Sequence, residues 1–462
     1  MNELVYRSAT SLAASLRARE LGAREIVEAS LARIEAVNPR INAVVQLVAE
    51  RALKEADECD REAGRGEFRG PLHGVPITIK DSLDTAGIVS TGGTLGRRDF
   101  IPRRDAPVVA RLRAAGAILL GKTNTPELTL SGETNNLIYG RSNNPFDLSR
   151  SPGGSSGGSA AIIASGGAAL ELGSDTGGSI REPAHLCGIS GIKPTSGRTP
   201  RSGHIVPWGG ITDALTQIGP MARYVEDLAL ALPIVCGPDG EDPAAVPVAL
   251  GSPADVDVAR LRVAWYTHNG IVAPDPAIQR VVTQAAAALN GEVARVEEHC
   301  LPGMRELVDL VTELREVTNA GLIQRLLRRY GTEQPGPDLD GYLTARSLAT
   351  ANCVDPALIE RIDAARAAAL AFFADHDAIL CPPARALARE HGASQQDSFD
   401  DWSYMTIHNL LGWPGVALRA GTADNGLPVG VQLVAAPWRE DIALALAARV
   451  ESLMGGFRPP PL

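Results

Sequence analysis

The sequence predicts an α/β fold, in which a single large domain is built on a central mixed, mostly parallel sheet with helices on both faces. Three observations support this prediction. The chain has 462 residues, 45% of them hydrophobic and 21% charged, so it can bury a large core. Short β-branched runs alternate with helical patterns, which is typical of strand–helix–strand units in a parallel sheet. The stretch SPGGSSGGSAA at 151–161 runs directly into an apolar segment, which indicates a loop built into the fold and not a linker between domains.

The N-terminal part begins with helices and continues as a strand–helix–strand unit. Residues 1–60 place apolar side chains at three- and four-residue spacing, which predicts a helical segment interrupted by Pro39. The β-branched run at 75–79 predicts a buried strand that delivers Lys80 at its carboxyl end. A helix closed by Gly116 and a strand in AILLGK complete the unit.

The same alternation continues after the Gly/Ser loop. The pattern predicts a helix near 159–164, a strand near 169–173, a turn at 176–179 and a short helix before Gly188. The segment ISGIKPT then continues the alternation.

Two irregular stretches interrupt the second half of the chain, at 237–258 and around Tyr330. The strand-like runs LRVAWY, DAILCPP and GLPVGVQLVAA lie beyond the first of them, and the last two also lie beyond the second. We therefore interpret residues 1–462 as one domain, in which 237–345 is an irregular and helical insertion.

Charge and cysteine content exclude several classes of protein. The formal net charge of -10 argues against a nucleic-acid partner, because binding to phosphate backbones requires clustered Lys and Arg. The N-terminus lacks a signal-peptide pattern and no long apolar run occurs, which predicts a cytoplasmic protein with no membrane partner. The six cysteines are scattered without a C-x-x-C pair, which predicts reduced thiols and no metal site. They are Cys59, Cys187, Cys236, Cys300, Cys353 and Cys381.

Lysine is rare in this chain, whose other basic side chains are arginines. The four lysines are Lys54, Lys80, Lys122 and Lys193. Arginine cannot lose its proton in a protein, so a lysine in such a chain suggests a place where a neutral amine is needed. Lys80 and Lys122, each at the end of a predicted strand, are the first candidates.

Two familiar motifs occur in unsuitable contexts. The stretch GAILLGKT at 116–123 matches the phosphate-binding P-loop, but a helix precedes it and its central residues are themselves a strand. The pattern G-x-S-x-G occurs around Ser155 and Ser156 and would indicate an α/β-hydrolase-type esterase. That motif requires a preceding strand, whereas the residues before it here are typical of a loop, and His376 and His408 have no surroundings that single out a catalytic histidine. The esterase stays open as an alternative.

A third set of motifs spans nearly the whole chain. It comprises PLHGVPITIKD, NPFDLSRSPGGSSGGSAA, LGSDTGGSIREPAHLCGISGIKPT, QIGPMAR and NLLGWPGVALRAGTADNGLPVGVQL. In these segments the sequence resembles the amidase signature family of Ser-cisSer-Lys hydrolases. The resemblance implies an amide hydrolase that works through an acyl-enzyme and needs no cofactor and no metal, with Lys80 as proton acceptor, Ser155 as bridging serine after a cis peptide bond and Ser179 as nucleophile.

The resemblance also implies an oxyanion hole and residues that support it. The oxyanion hole would be formed by the backbone amides of Thr176, Gly177, Gly178 and Ser179. Ser156, Asp175 and Arg181 would support these groups.

The proposed relay explains why these residue types are needed. A serine hydroxyl is a weak nucleophile, and without a histidine its proton would pass from Ser179 through Ser155 to an uncharged Lys80. The pKa of Lys80 would have to fall by about 3 units, or about 4 kcal/mol, which burial can supply. The paired glycines ahead of a helix would let successive N–H groups converge on a developing negative charge.

The resemblance leaves the substrate open. The segment SGHIVPWGG at 202–210 departs from the expected loop of the glutaminase (A) component of a tRNA-dependent amidotransferase, and is closer to aryl acylamidases and carbamate-cleaving (urethanase) relatives. We therefore expect the substrates to be aryl or bulky apolar amides, with carbamates and esters as further substrates. The substrate-binding candidates are Tyr139, Ile205 and Trp208. We expect the 237–345 insertion to shape the entrance to the substrate site. Arg419 stands where the family commonly has proline. An inactive scaffold and the amidotransferase component stay open as alternatives, and the expected assembly is a monomer or homodimer acting on a small molecule.

Overall fold

The computed structural model describes residues 3–207, 215–346 and 354–462. Within these ranges eleven strands form one sheet with thirteen α-helices around it. The strands are β1 (Val44–Leu47), β2 (Pro76–Lys80), β3 (Ile118–Thr123), β4 (Leu170–Asp175), β5 (Ser190–Lys193), β6 (Gln217–Ala222), β7 (Arg262–Trp265), β8 (Arg295–Glu298), β9 (Ala378–Cys381), β10 (Gly415–Thr422) and β11 (Pro428–Ala435). The helices are α1 (Ala9–Ala18), α2 (Ala23–Ile41), α3 (Ala49–Gly64), α4 (Pro107–Ala114), α5 (Gly157–Ala164), α6 (Arg181–Leu186), α7 (Val225–Val235), α8 (Pro276–Leu289), α9 (Met304–Tyr330), α10 (Pro337–Arg346), α11 (Pro356–Leu370), α12 (Ser403–Leu410) and α13 (Glu440–Met454).

The sheet is mixed, with the strand order β1-β3-β2-β4-β6-β5-β10-β11-β9-β7-β8. The predicted α/β class and the mixed sheet are confirmed. The expectation that most neighbouring strands pair in parallel is wrong. Among the described strands β2 is parallel to β3 and β4, and β7 to β8 and β9, whereas the other six neighbouring pairs are antiparallel. Short connections such as the turn between β10 and β11 can only join antiparallel neighbours, which explains the difference.

Alternate residues of one strand show that both faces of the sheet are covered. In β9, Ala378 and Leu380 belong to a large apolar cluster that includes α8 and α13. Their neighbours Ile379 and Cys381 belong to a second cluster that includes α9, α11 and α12. Because successive side chains of a strand point to opposite faces, these helices lie on the two sides of the sheet.

The N-terminal segment is helical as expected but also contributes an edge strand. Helices α1, α2 and the larger part of α3 lie in it, and β1 pairs antiparallel with β3. Pro39 does not end α2, which continues to Ile41. The helix ends instead at Asn42, which adopts a φ of 45° and donates its N–H to Asn38 O at 2.8 Å.

The predicted insertion at 237–345 contains both irregular chain and regular elements. It includes β7 and β8 of the common sheet as well as α8, α9 and α10. The division of the chain into domains stays a prediction. None of the helices in the described ranges combines the length and the apolar composition needed to cross a bilayer.

Candidate active site

Three segments converge at the carboxyl ends of β2 and β4. Because β2 and β4 are parallel neighbours, their ends meet at one edge of the sheet, where α/β proteins commonly bind ligands. Lys80 is the last residue of β2, and Asp175 is the last residue of β4. The loop that carries Ser155 leads into α5, and the turn at 176–179 leads into α6.

Lys80 lies among three serine hydroxyls in the protein interior. Its Nζ is 2.6 Å from Ser155 Oγ, 2.9 Å from Ser156 Oγ and 3.0 Å from Ser174 Oγ. The side chain is 0% exposed. Burial lowers the pKa of Lys80 well below its ordinary value, although Asp175 and Glu171 act in the opposite direction. An uncharged amine can accept a proton from one of these hydroxyls.

The nearby carboxyl groups differ in charge. Burial raises the pKa of Glu171 to about 8, although hydrogen bonds from Thr78 and Thr123 oppose this shift. Burial also disfavours the ionised form of Asp175, but the Arg181 guanidinium outweighs it and holds the pKa of Asp175 well below its usual range. Asp175 is therefore the ionised carboxylate next to Lys80, and Glu171 is mostly protonated at pH 7.

The peptide bond between Gly154 and Ser155 is cis, at the position where the resemblance implies one. A Cβ on Gly154 would lie 2.6 Å from Ser131 O, so the close approach of this backbone requires glycine. Thr125 Oγ1 donates to Ser155 O at 3.0 Å, and Ser156 N–H donates to Ser179 O at 3.2 Å. These contacts attach the Gly/Ser loop to the segment that follows β3 and to the turn before α6.

The turn at 176–179 presents fewer free amides than the resemblance implies. Gly178 has a φ of 121° and donates its N–H to Asp175 Oδ1 at 2.7 Å. That amide is directed to the interior, so the expectation of Gly178 as an oxyanion donor does not match its hydrogen bond. The N–H groups of the other three predicted donors, Thr176, Gly177 and Ser179, donate to no other residue in the described ranges.

A buried ion pair holds the turn from the inside. Arg181 donates to both Asp175 oxygens at 3.0 Å, and both side chains are 0% exposed. Arg181 also donates to Asn409 and Gln432, at 2.6 and 2.8 Å. Asp175 further accepts the N–H of Ile180 at 3.1 Å. Asp175 and Arg181 thus fix the start of α6 beneath the turn.

Ser179 is half-buried, whereas Ser155 and Lys80 lie beneath the surface. Among the described residues, Ser179 Oγ makes no side-chain hydrogen bond, so the structure has a hydrogen bond between Lys80 and Ser155 but none between the hydroxyls of Ser155 and Ser179. The half-buried hydroxyl lies next to the unpaired amides of Gly177 and Ser179 itself.

The three substrate-binding candidates have different positions. Tyr139 O accepts a hydrogen bond from Asn42, Tyr139 Oη accepts one from Gln46, and Tyr139 N–H donates to Asn136 Oδ1 at 2.8 Å. Its side chain also hydrogen-bonds to Thr91, and none of these partners is Lys80 or one of the serines around it. Ile205 is 1% exposed, and its N–H donates to Ser82 O at 2.8 Å, close to Lys80 in the chain. Trp208 lies outside the described residues.

The structure also shows the surroundings of Lys122, of the serines in the esterase-like pattern and of Arg419. Lys122 is buried and donates to Thr85 Oγ1 and Ser90 Oγ at 2.9 and 3.0 Å, and α4 precedes the stretch that contains it. No histidine in the described ranges bonds to Ser155, Ser156 or Ser179, and no strand leads into those first two serines. Arg419 donates to Gly456 O at 2.7 Å, so it contacts the C-terminal segment.

Two groups of side chains in the described ranges could hold a metal ion by proximity, and both are away from Lys80. The first contains Cys59, Glu62 and His73, and the second contains Glu297, His299 and His376. The ring nitrogens of His73 already meet Arg69 N–H and Cys59 O, at 3.1 Å each. His376 Nε2 meets a Glu297 oxygen, which makes a hydrogen-bonded ion pair when the ring is protonated.

Several site residues had no role in the sequence analysis. Ser174 is the third hydroxyl on Lys80, and its position directly before Asp175 in the quoted SDTGGS motif was an available signal. Asn409 donates to Asp175 Oδ1 at 2.9 Å and stands at the head of the quoted NLLGWPG motif. Arg315 donates to Thr176 O at 2.7 Å from α9, and no local pattern marks it.

Comparison with known proteins gives a consistent result. The family model described as Amidase matches residues 25–444. An acylamidase from Rhodococcus erythropolis is 35% identical, over 97% of this chain and 96% of that protein. The A component of the glutamyl-tRNA(Gln) amidotransferase of Carboxydothermus hydrogenoformans is also 35% identical, over 97% of each chain. The crystal structure of a bacterial aryl acylamidase of the amidase signature family superposes with a TM-score of 0.84 and 26% identity, over 97% of this chain and 96% of the other.

Proposed function

The chain belongs to the amidase signature family, and from this premise we propose that it hydrolyses aryl or other bulky apolar amides through an acyl-enzyme on Ser179. Family membership makes it an amide hydrolase. The observation that carries the proposed mechanism is the 2.6 Å contact between Ser155 Oγ and Nζ of the fully buried Lys80.

In the proposed acylation, Ser179 Oγ attacks the carbonyl carbon of the substrate. Its proton passes to Ser155 Oγ while the proton of Ser155 passes to Lys80 Nζ, so the charge of the relay increases by one when the carbonyl oxygen becomes an oxyanion. Collapse of the tetrahedral intermediate breaks the C–N bond. The departing amine takes a proton back along the same path, which leaves an ester on Ser179 and a neutral Lys80.

Deacylation uses the same groups with water as the nucleophile. The relay accepts a proton from the attacking water, a second tetrahedral intermediate forms, and its collapse returns the proton to Ser179 Oγ and releases the carboxylic acid. The unpaired N–H groups of Gly177 and Ser179 are the proposed donors to the oxyanion in both steps. Each such donor typically accounts for about 2.7 to 4 kcal/mol of transition-state stabilisation.

The neutral state of Lys80 is supported by its surroundings. Three hydroxyls contact Nζ, each able to accept or donate, so an uncharged amine leaves no buried charge uncompensated. Glu171, with a pKa raised to about 8, adds little negative charge that would favour the ammonium form near pH 7.

The proposed preference for aryl or bulky apolar groups is supported by similar proteins and by the apolar surroundings of Ile205. The relatives named above include an acylamidase and an aryl acylamidase. Ile205, predicted to bind substrate, packs with apolar side chains of α9 such as Leu322 and Leu326. This packing supports the proposal that the 237–345 segment shapes the entrance. Carbamates and esters present the same acyl carbon and are proposed as further substrates.

A second candidate function is the glutaminase component of an amidotransferase. This function is favoured by the sequence identity to the Carboxydothermus hydrogenoformans protein, which at 35% is the same as the identity to the acylamidase. The proposed free-standing hydrolase would act in the cytoplasm on a small molecule as a monomer or homodimer. The described cysteines are free, which agrees with a reducing compartment.

A substrate panel tests the proposed preference. The purified chain is assayed with an aryl anilide, an aryl carbamate, a short aliphatic amide and glutamine, with the Ser179→Ala variant as the blank. We expect kcat/KM to be highest for the anilide and turnover to disappear in Ser179→Ala. Turnover of glutamine above that of the anilide would favour the amidotransferase component instead.

A further inference from the structure

An arginine from a distant helix contacts the turn that supplies the proposed oxyanion donors. Arg315, in the middle of α9, donates from Nη2 to Thr176 O at 2.7 Å, across 139 positions of sequence. A Cβ placed on Gly177 would lie 2.6 Å from the same Nη2 atom. Any larger residue at 177 would therefore force this guanidinium to move, and glycine allows it to lie directly on the turn.

The contact involves the peptide group that carries one of those donors. Thr176 C=O and Gly177 N–H belong to a single planar peptide unit, and in a trans unit they point in opposite directions. A hydrogen bond that fixes the carbonyl on one side therefore fixes the direction of the N–H on the other. The N–H so directed, that of Gly177, donates to no described residue.

A charge of the opposite sign holds the following residues of the turn. Asp175 accepts the N–H of Gly178 at 2.7 Å and that of Ile180 at 3.1 Å. The turn is thus held by a carboxylate, which accepts two of its N–H groups, and by a guanidinium, which donates to one of its carbonyls. The amides of Gly177 and Ser179, which lie between these two contacts, are left for a ligand.

The charge of Arg315 has a second effect besides orientation. A hydrogen bond from an ionised donor to a carbonyl is roughly twice as strong as one between neutral groups. The hydrogen bond from Arg315 to Thr176 O polarises the peptide group that carries the Gly177 N–H. Hydrogen bonds in series strengthen one another by about 10 to 30% each. A better donor at Gly177 matters most when the substrate oxygen becomes negative, which is in the transition state.

We propose that Arg315 is a positioning residue that orients and polarises the Gly177 N–H toward the oxyanion of the tetrahedral intermediate. This inference rests on the proposed function, in which Ser179 is the nucleophile. It assigns to α9 a part in the reaction, beyond covering the site. It also accounts for Gly177, whose lack of a side chain leaves room for the guanidinium.

The test compares Arg315→Met, Arg315→Lys and a control, Arg328→Met. Arg328 is exposed in the last turn of the same helix, so its replacement removes an arginine from α9 without touching the turn. Anilide hydrolysis gives kcat and KM, and titration with an aryl boronic acid measures affinity for a tetrahedral adduct on serine. We expect Arg315→Met to lower kcat about 10- to 100-fold with KM changed less than about threefold, as for the loss of a charged hydrogen bond felt mainly in the transition state.

Further measurements separate positioning from structural support. Boronic acid affinity should fall by about the same factor as kcat/KM, because both report the tetrahedral state. Arg315→Lys, which keeps the charge and one donor, should fall between the wild type and Arg315→Met and provides the readout should the methionine variant fail to fold. Arg328→Met should match the wild type.

Two results would overturn the inference. A folded Arg315→Met with kcat within about twofold of the wild type would do so, as would a rise in KM alone, which would make Arg315 a ground-state binding residue. Its failure is distinguishable from failure of the proposed function. Labelling of Ser179 by a phosphonofluoridate in the wild type, together with unchanged kcat in Arg315→Met, rejects the role of Arg315 alone, whereas absence of label on Ser179 rejects the nucleophile itself.

Discussion

Replacing Lys80 by arginine separates a proton acceptor from a fixed positive charge. The Nζ atom contacts three hydroxyls at 2.6 to 3.0 Å in a site that is 0% exposed. A guanidinium can donate to the same oxygens but cannot accept a proton at any workable pH. We therefore expect Lys80→Arg to lose at least about 10³-fold in kcat, the middle of the range for a general base and about 4 kcal/mol of barrier.

The assay is release of nitroaniline from an anilide, followed across pH. In the wild type, activity should rise with pH through one limb and then reach a plateau, because the pKa of Lys80 is lowered and its neutral form is the active one. The limb belongs to the coupled Lys80 and serine unit and not to the lysine alone. Arg is larger than Lys in a packed site, so Lys80→Met, which is neutral and unbranched, accompanies it and should show the same loss. Lys54→Arg, at an exposed position of α3, is the matched control. A folded Lys80→Arg variant with most of its activity would refute the assignment of Lys80 as the base.

Three further predictions concern Asp175, His185 and the two loop serines. Asp175→Asn leaves Arg181 buried without its ionised partner and should cost about 3 to 5 kcal/mol in urea unfolding, against at most about 1 kcal/mol for Asp57→Asn in an exposed ion pair. Burial lowers the pKa of His185 to about 4 from its usual 6.5, so its contribution to stability is complete above pH 6.5 and is lost as pH falls to 4. Between pH 6.5 and 4 the free energy of unfolding of the wild type should fall by about 1.4 kcal/mol per pH unit more than that of His185→Gln. Equal pH dependence of the free energy of unfolding in the two proteins would contradict this. Ser155→Ala should reduce kcat more than Ser156→Ala, although both hydroxyls contact Lys80.

Elements with strong local patterns could be predicted from the sequence. The strand predicted at 75–79 corresponds to β2, with Lys80 at its end. The prediction was possible because a short β-branched run between turns is typical of a buried strand in a parallel sheet. The turn and short helix after β4 also follow from glycine placement. The resemblance identified the family, which the comparison confirms.

Elements with weak or contrary local signals were missed. Strand β6 lies between β4 and β5 in the sheet and contains Pro220, although proline normally argues against a central strand. Strand β1 has only four residues at the sheet edge and follows a long helical pattern. In both cases pairing with a neighbouring strand outweighs the local preference of the chain.

Part of the site depends on hydrogen bonds that a motif does not specify. The bond between Asp175 and the Gly178 amide lies within the SDTGGS motif, but the motif does not say which amide the carboxylate accepts, and Arg315 reaches Thr176 from another part of the fold. Spacing in a sequence predicts which residue types are available, but hydrogen-bond partners at long sequence separation are decided by packing. Only the structure shows that, of the four predicted oxyanion donors, Gly178 already donates its N–H within the protein.

The most direct test of the proposed mechanism is to identify the residue that carries the acyl group. The wild-type chain is treated with a phosphonofluoridate, digested and mapped by mass spectrometry, with Ser179→Ala treated in parallel. We expect one adduct, on Ser179, which is half-buried beside unpaired amides, and no adduct in Ser179→Ala. An adduct on Ser155 or Ser156 in the wild type, with Ser179 unmodified, would contradict the central claim.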